Sequence, residues 1–197
     1  LKEYCDHIGI EFMTTPMSYF AVVKVKNLVK RWKVGSADIT DFGLLDYLAT
    51  NKKPIIMSTG MSTIEQIDQA VNRLRRRKSD FSLVHCVSIY PCPPEHANLL
   101  TIPYLATRYG VLVGYSDHSL SMTIPVQAVK HGAHVIEKHF TIDRDCPVGP
   151  DHKASLEPSE FGPMVEAIRN TKAVEFGKVG KFLLEEEKKH WDNFRIN

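Results

Sequence analysis

GVLVGYSDH, residues 110–118, is an apolar run that turns polar at its tip, where Ser116, Asp117 and His118 stand in a row. Five further runs share this design: IEFMTTP (10–16), RWKVGSAD (31–38), KPIIMSTG (53–60), FSLVHCVS (81–88) and AHVIEKHFT (133–141). Each is short, rich in Val, Ile and Leu, and closed by small or polar residues. Strands buried on both faces read this way.

Helical patterns fill most of the links. In residues 62–77, Ser62 and Glu65 have the spacing of a capping box, and Ile64, Ile67, Val71 and Leu74 share one face. Residues 17–30, 43–50 and 121–131 read as helices, and 157–175 as another opened by Pro158. The link 89–109 opens on the proline-rich YPCPP before a short helix. Repeated strand–helix units imply a parallel sheet. Two architectures satisfy them, a doubly wound open sheet and a (β/α)8 TIM barrel. A barrel needs eight strands and roughly 250 residues. With six strands in 197 residues, the barrel reading is of a partial barrel whose first two units lie upstream.

A net charge of +2, with 43% hydrophobic and 24% charged residues, is ordinary for a globular chain and gives no reason to expect nucleic acid as a partner. No run of about 18 apolar residues exists to suggest a membrane span. The opening LKEYCDHIG lacks the pattern of a signal peptide. Cysteines 5, 86, 92 and 146 form no CxxC pair, and read as free thiols of a cytoplasmic protein. RLRRRK (73–78) reads as a solvated helix end favoured by the helix dipole, with a phosphate or nucleic-acid site as the alternative. Residues 176–197, with FLLEEEKKHWDNFRIN, read as an exposed C-terminal helix or linker, or as a connector to a further domain.

Polar groups recur at one end of the strands: Thr14 and Thr15, Lys33 and Ser36, Ser58 and Thr59, His85 and Ser88, Ser116 and His118, Glu137 and His139. Such a rim suits a polar ligand. Because side chains alternate along a strand, Ser116 and His118 share a face with Asp117 on the other, and Glu137 and His139 share a face opposite Lys138 and Phe140. If both strands turn those faces inward, two histidines meet beside a carboxylate, a donor set for a first-row divalent metal. The alternative for each is a buried histidine bonded to a backbone carbonyl. His85 is either a third ligand or a packed histidine. Lys33 on an apolar strand needs an anion if it points inward, and a substrate phosphate or carboxylate would supply one; outward, it would meet a helix carboxylate. After the last strand, CPVGPDH (146–152) is turn chemistry from which Asp151 and His152 could reach over the rim.

The series WKVGSAD, PIIMSTGM, HCVSIYP, GYSDHSL, IEKHFT and GPDHKASLEP, over residues 10–170, resembles the N-acetylneuraminate (sialic acid) synthase family, which includes pseudaminic and legionaminic acid synthases and spore-coat polysaccharide synthases. The resemblance implies a TIM barrel represented here by about its third to eighth strands, over residues 1–175. It implies condensation of phosphoenolpyruvate with an N-acylated mannosamine-like aldose, giving a nine-carbon ulosonic acid and phosphate. It also implies a homodimer and a following antifreeze-like domain. Residue by residue, it implies metal ligands at His118 and His139, with Mn2+ as the ion and Mg2+ or Co2+ as alternatives. It places phosphoenolpyruvate on Lys33, Ser36, Ser58, Ser116, Thr15 and Ser88, and the sugar near Tyr90 and Asp151. Glu137 is implied to act with the two histidines in catalysis. The chain departs from the family pattern at Ser88, where some members have Asn, at Met17, where many have an aromatic residue, and at Val148, an extra residue before GPDH. Alternatives are a condensing enzyme for phosphosugars, a non-catalytic carbohydrate-binding subunit, and a barrel metal hydrolase, which lacks its expected extra Asp and His ligands.

Overall fold

The computed structural model describes residues 1–175, so the reading of 176–197 as helix or linker lies outside the described residues. In chain order the elements are α1 (Lys2–Ile8), α2 (Tyr19–Val25), β1 (Trp32–Val34), α3 (Phe42–Thr50), β2 (Ile55–Ser58) and α4 (Ile64–Arg76). Then come β3 (Phe81–Cys86), α5 (Thr101–Tyr109), β4 (Val113–Asp117), α6 (Thr123–Lys130), β5 (Ile136–Lys138) and α7 (Pro158–Glu175). Short 3-10 turns cover Ser36–Asp38, Pro94–His96 and Asp151–Ala154.

The five strands are all parallel and lie in the order β1-β2-β3-β4-β5. A doubly wound sheet reverses its strand order at a switch point, and this one does not. Right-handed crossovers that always step to the next strand put their helices on one side. The result is a half-barrel, helices outside and a concave face inside.

Register decides which residues face where. Trp32, Ile55 and Phe81 lie in one row, and Val34, Met57, Leu83 and Val113 in another. These rows, with Tyr115 and Ile136, pack against the buried helix residues Leu44, Leu45, Leu48, Ile67, Val71, Leu74, Ile102 and Leu105. The intervening rows therefore point into the concave face: Lys33 with Ile56, Ser58 with Val84 and Gly114, and Cys86 with Ser116 and Glu137. Gly114 has no room for a side chain, because a Cβ there would stand 2.7 Å from the carbonyl oxygen of Val135.

Two expectations change. The run 10–16 is not a strand: it is extended, but among the described residues no ladder joins it to β1. Pro16 has no N–H to donate, and β1 has only three residues before Gly35 turns it into a 3-10 turn. Glu11, bonded to Arg31 at 2.7 Å, still holds the run beside β1. The capping box of α4 sits one residue later than expected. The Thr63 side chain accepts from the Gln66 N–H, and Gln66 Oε1 accepts from the Thr63 N–H at 2.9 Å. Ser62 is engaged elsewhere, its hydroxyl donating to Gly60 O at 3.1 Å. The basic run at the end of α4 is largely exposed, as expected of a solvated helix end, and Arg73 and Arg77 also pair with Asp46 at 2.7 and 3.1 Å. Cysteines 5, 86, 92 and 146 are free, and among the described residues no helix is long and apolar enough to cross a membrane.

Candidate active site

The inward rows bring Lys33, Ser58, Cys86, Ser116 and Glu137 to the C-terminal end of the sheet. The segments that flank the strands add Thr15, Met17, Ser36, Ser88, Tyr90, His118 and His139, and together they line one cavity of about 260 Å³.

Lys33 points inward and is buried, which excludes its outward alternative. Its Nζ donates to Ser58 Oγ at 2.7 Å and to Val34 O at 3.3 Å, and lies 3.3 Å from Glu137 Oε2. An ammonium held in a buried cavity by one carboxylate and two neutral oxygens is a ready site for a further anion.

The histidines meet as their strand phase predicts, with ring centroids of His118 and His139 5.4 Å apart. Tyr90 packs on both, at 4.1 and 5.7 Å between centroids. His118 Nδ1 lies 2.7 Å from Val87 O. A carbonyl can only accept, so Nδ1 carries the proton and Nε2 keeps its lone pair, 3.3 Å from Ser116 Oγ. Burial pushes the His118 pKa below its ordinary value, and the neighbouring His139 adds to this. Burial likewise pushes the Tyr90 phenol up. The imidazole of His118 is thus neutral, oriented and lone-pair-forward, which is how a histidine ligand is prepared for a metal. Among the described residues no three His, Cys, Asp or Glu side chains cluster closely enough to hold an ion by themselves. The donor set fits a divalent ion whose remaining ligands come from water or a bound molecule.

The chain matches the profile of the NeuB family over residues 1–179. It belongs to the NeuB family. It is 45% identical over 172 residues to an uncharacterized protein of Methanocaldococcus jannaschii, covering 86% of this chain and 50% of that one. It is 39% identical over 180 residues to the N,N'-diacetyllegionaminic acid synthase of Legionella pneumophila, covering 88% and 50%. The crystal structure of the N-acetylneuraminic acid (sialic acid) synthetase of Leptospira borgpetersenii, in complex with citrate, superposes with a TM-score of 0.88 at 35% identity, covering 98% of this chain and 68% of that one. This NeuB-family chain spans about half the length of the curated relatives it matches.

Of the residues to which the family resemblance gives a role, Asp151 stands apart from the cavity lining of the NeuB-family chain, as do Thr14, Thr59, His85 and His152 among the other polar residues noted in the sequence. Asp151 is exposed at the start of a 3-10 turn, and Arg144, in the loop before it, is bonded to Ser155 O and Glu160. Its charge still bears on Tyr90, raising the phenol pKa alongside burial. His85 is the packed histidine: its Nε2 bonds Ala97 O at 3.0 Å, and it sits on the helix side in register with Tyr115.

Sequence reasoning missed Cys86, Gly60 and Asp38. Cys86 Sγ lies 3.2 Å from Ser36 Oγ, and the Gly60 N–H donates to that same hydroxyl at 3.1 Å. A Cβ on Gly60 would come within 2.5 Å of Ser88 Oγ and 2.8 Å of both Cys86 Sγ and Ser36 Oγ. Cys86 was detectable, since it alternates in phase with Ser88; the choice between Cys86 and His85 needed the register with β4. Asp38 also lines the cavity, with burial and the nearby Asp41 raising its pKa. Ser88 Oγ is buried without a hydrogen-bond partner, an open position on the cavity wall.

Proposed function

We propose that the polypeptide carrying this chain condenses phosphoenolpyruvate with an N-acylated mannosamine-like aldose, releasing phosphate and a nine-carbon ulosonic acid of the sialic type. The observation that carries the reading is one cavity in which buried Lys33, bonded to Ser58, faces the His118–His139 pair across Ser116 and Glu137. Membership of the NeuB family and likeness to a legionaminic acid synthase support it. In this reading the five strands of residues 1–175 are part of a TIM barrel, 176–197 lead to an antifreeze-like domain, and the working unit is a cytoplasmic homodimer.

Lys33, Ser58 and Ser116 bind the phosphate and carboxylate of phosphoenolpyruvate, with Thr15, Ser36 and the unpartnered Ser88 hydroxyl completing the donors. These bonds orient C3 of the enol toward the aldehyde carbon of the sugar. Tyr90 borders the sugar side, with Asp151 beyond the cavity wall. His118 and His139 would hold a divalent ion, Mn2+ foremost with Mg2+ or Co2+ as substitutes, which would supply Lewis acidity at the aldehyde. As the new C–C bond forms, positive character grows at C2 and water adds there. Glu137 orients that water, takes its proton and returns it to the alkoxide left on the former aldehyde oxygen. Cleavage of the C–O bond then releases phosphate from the tetrahedral carbon, with Lys33 holding the leaving anion.

The test is phosphate release from phosphoenolpyruvate by the complete polypeptide, with Mn2+ and a panel of N-acylated aldoses, beside His118→Ala. Release that requires N-acetylmannosamine or a diamino relative, and disappears in the variant, is expected. Release only with phosphorylated aldoses, or none with tight Mn2+ binding intact, would overturn the reading.

A further inference from the structure

The reverse side of the two histidine-bearing strands carries a second cluster that the proposed chemistry does not use. Asp117 and Lys138 are register partners on β4 and β5, and their side chains are 0% and 1% exposed. Lys138 Nζ donates to Asp117 Oδ2 at 2.7 Å and also to Ser119 O. Asp117 Oδ2 further accepts from Ser119 Oγ at 3.0 Å, and Oδ1 accepts from the Ser119 N–H at 3.1 Å and from Tyr115 OH at 3.4 Å. Ser119 Oγ in turn accepts from the Ser121 N–H at 3.1 Å, and Ser121 Oγ accepts from the Ile124 N–H at 3.2 Å, in the first turn of α6. One buried carboxylate thus joins β4, β5 and the entry to α6.

His118 and His139 are the residues immediately after Asp117 and Lys138. The last ladder pair before the cavity is Asp117 with Lys138, and β5 has only three residues. Three residues of ladder with β4 do little by themselves to define the register of β5. A slip of one residue would turn Glu137 and His139 to the outer face. We infer that the buried Asp117–Lys138 pair is a positioning clamp that sets the register and separation of His118 and His139, and so determines how tightly the pair takes a divalent cation. The backbone after each partner is constrained as well, since His118 O accepts from the Cys92 N–H at 2.9 Å and His139 O from the Leu156 N–H at 3.0 Å. The inference rests on the reading of the two histidines as the cation's ligands.

The experiment measures Mn2+ binding by electron paramagnetic resonance, and thermal unfolding, for the complete polypeptide and four variants: His118→Ala, Lys138→Met, the charge-free Asp117→Asn/Lys138→Met and Ser119→Ala. A clamp with only a structural role would give back Mn2+ affinity wherever it gives back stability. The expected result is that the charge-free double variant recovers most of the melting temperature lost in Lys138→Met, yet binds Mn2+ at least about tenfold more weakly than the parent. Ser119→Ala, which keeps the ion pair and removes one of its donors, folds in any case. It should weaken Mn2+ binding severalfold with little change in melting temperature. Parent-like Mn2+ affinity in Ser119→Ala and in any folded double variant would overturn the clamp, while loss in His118→Ala alone would leave the histidine reading standing. Parent Mn2+ binding that is absent, or unchanged by His118→Ala, would overturn both.

Discussion

Lys138 and Asp117 meet at 2.7 Å with side chains 1% and 0% exposed, whereas Lys33 and Glu137 stand 3.3 Å apart with side chains 8% and 43% exposed. The two pairs have the same chemistry and lie at neighbouring levels of the same sheet, on opposite faces. The Asp117 carboxylate accepts from Lys138, Ser119 and Tyr115, so it is saturated. Glu137 has one long contact and an open side toward the cavity. A closed pair has nothing left to offer a ligand, and an open one is held together loosely enough to admit it. Burial and completeness of partners, rather than the presence of charge, separate the structural pair from the functional one.

Removing one member of each pair is the strongest way to break this contrast. Lys138→Met leaves a carboxylate with no exposed path to water, and stability should fall by about 3–5 kcal/mol, measured by urea unfolding. Lys33→Met leaves Glu137 free to turn into solvent, so the unfolding midpoint should move little. Phosphoenolpyruvate or inorganic phosphate binding, by calorimetry, should nevertheless weaken about 10- to 100-fold through loss of a charge-assisted bond. Equal stability losses in the two variants would erase the distinction.

Much of this was legible in the chain itself. Alternation along GYSDH and IEKHF placed His118 and His139 together and Asp117 with Lys138 behind them, because a period of two survives any uncertainty in strand ends. Lys33 stood out because an ammonium on an apolar strand demands a partner. What could not be read depended on neighbours far along the sequence. IEFMTTP has the composition of a strand, but pairing needs a partner long enough to bond, and β1 ends at Val34. Gly60 is just the small residue that closes KPIIMSTG until Ser36, Ser88 and Cys86 are brought within 2.5–2.8 Å of where its Cβ would be. That closeness sharpens the contrast on the functional side. Gly60→Ala should displace Ser36 and Ser88 from the cavity wall, at about 1–3 kcal/mol in stability. The KM for phosphoenolpyruvate should rise while dependence on the aldose is preserved, as steady-state kinetics with each substrate varied would reveal.

The smallest effect compares two buried histidines on opposite faces, His118 in the cavity and His85 behind it. Burial lowers the pKa of both below the ordinary value near 6.5, with His139 adding to the effect at His118. The unfolded chain therefore takes up these protons first. The stability contributed by the neutral rings is complete above about pH 6.5 and declines as pH falls through that value toward the folded pKa, by at most about 1.4 kcal/mol per pH unit for each ring. His85→Gln and His118→Gln should each flatten this acid slope by a similar amount in unfolding experiments without metal. Mn2+ separates them, since a cation on His118 competes with protons for Nε2 while the packed His85, bonded to Ala97 O, has no part in that competition. Added Mn2+ should steepen the acid loss in the parent and in His85→Gln, and leave His118→Gln unchanged. A metal-dependent slope that survives His118→Gln would place the cation elsewhere and dissolve the difference between the two faces.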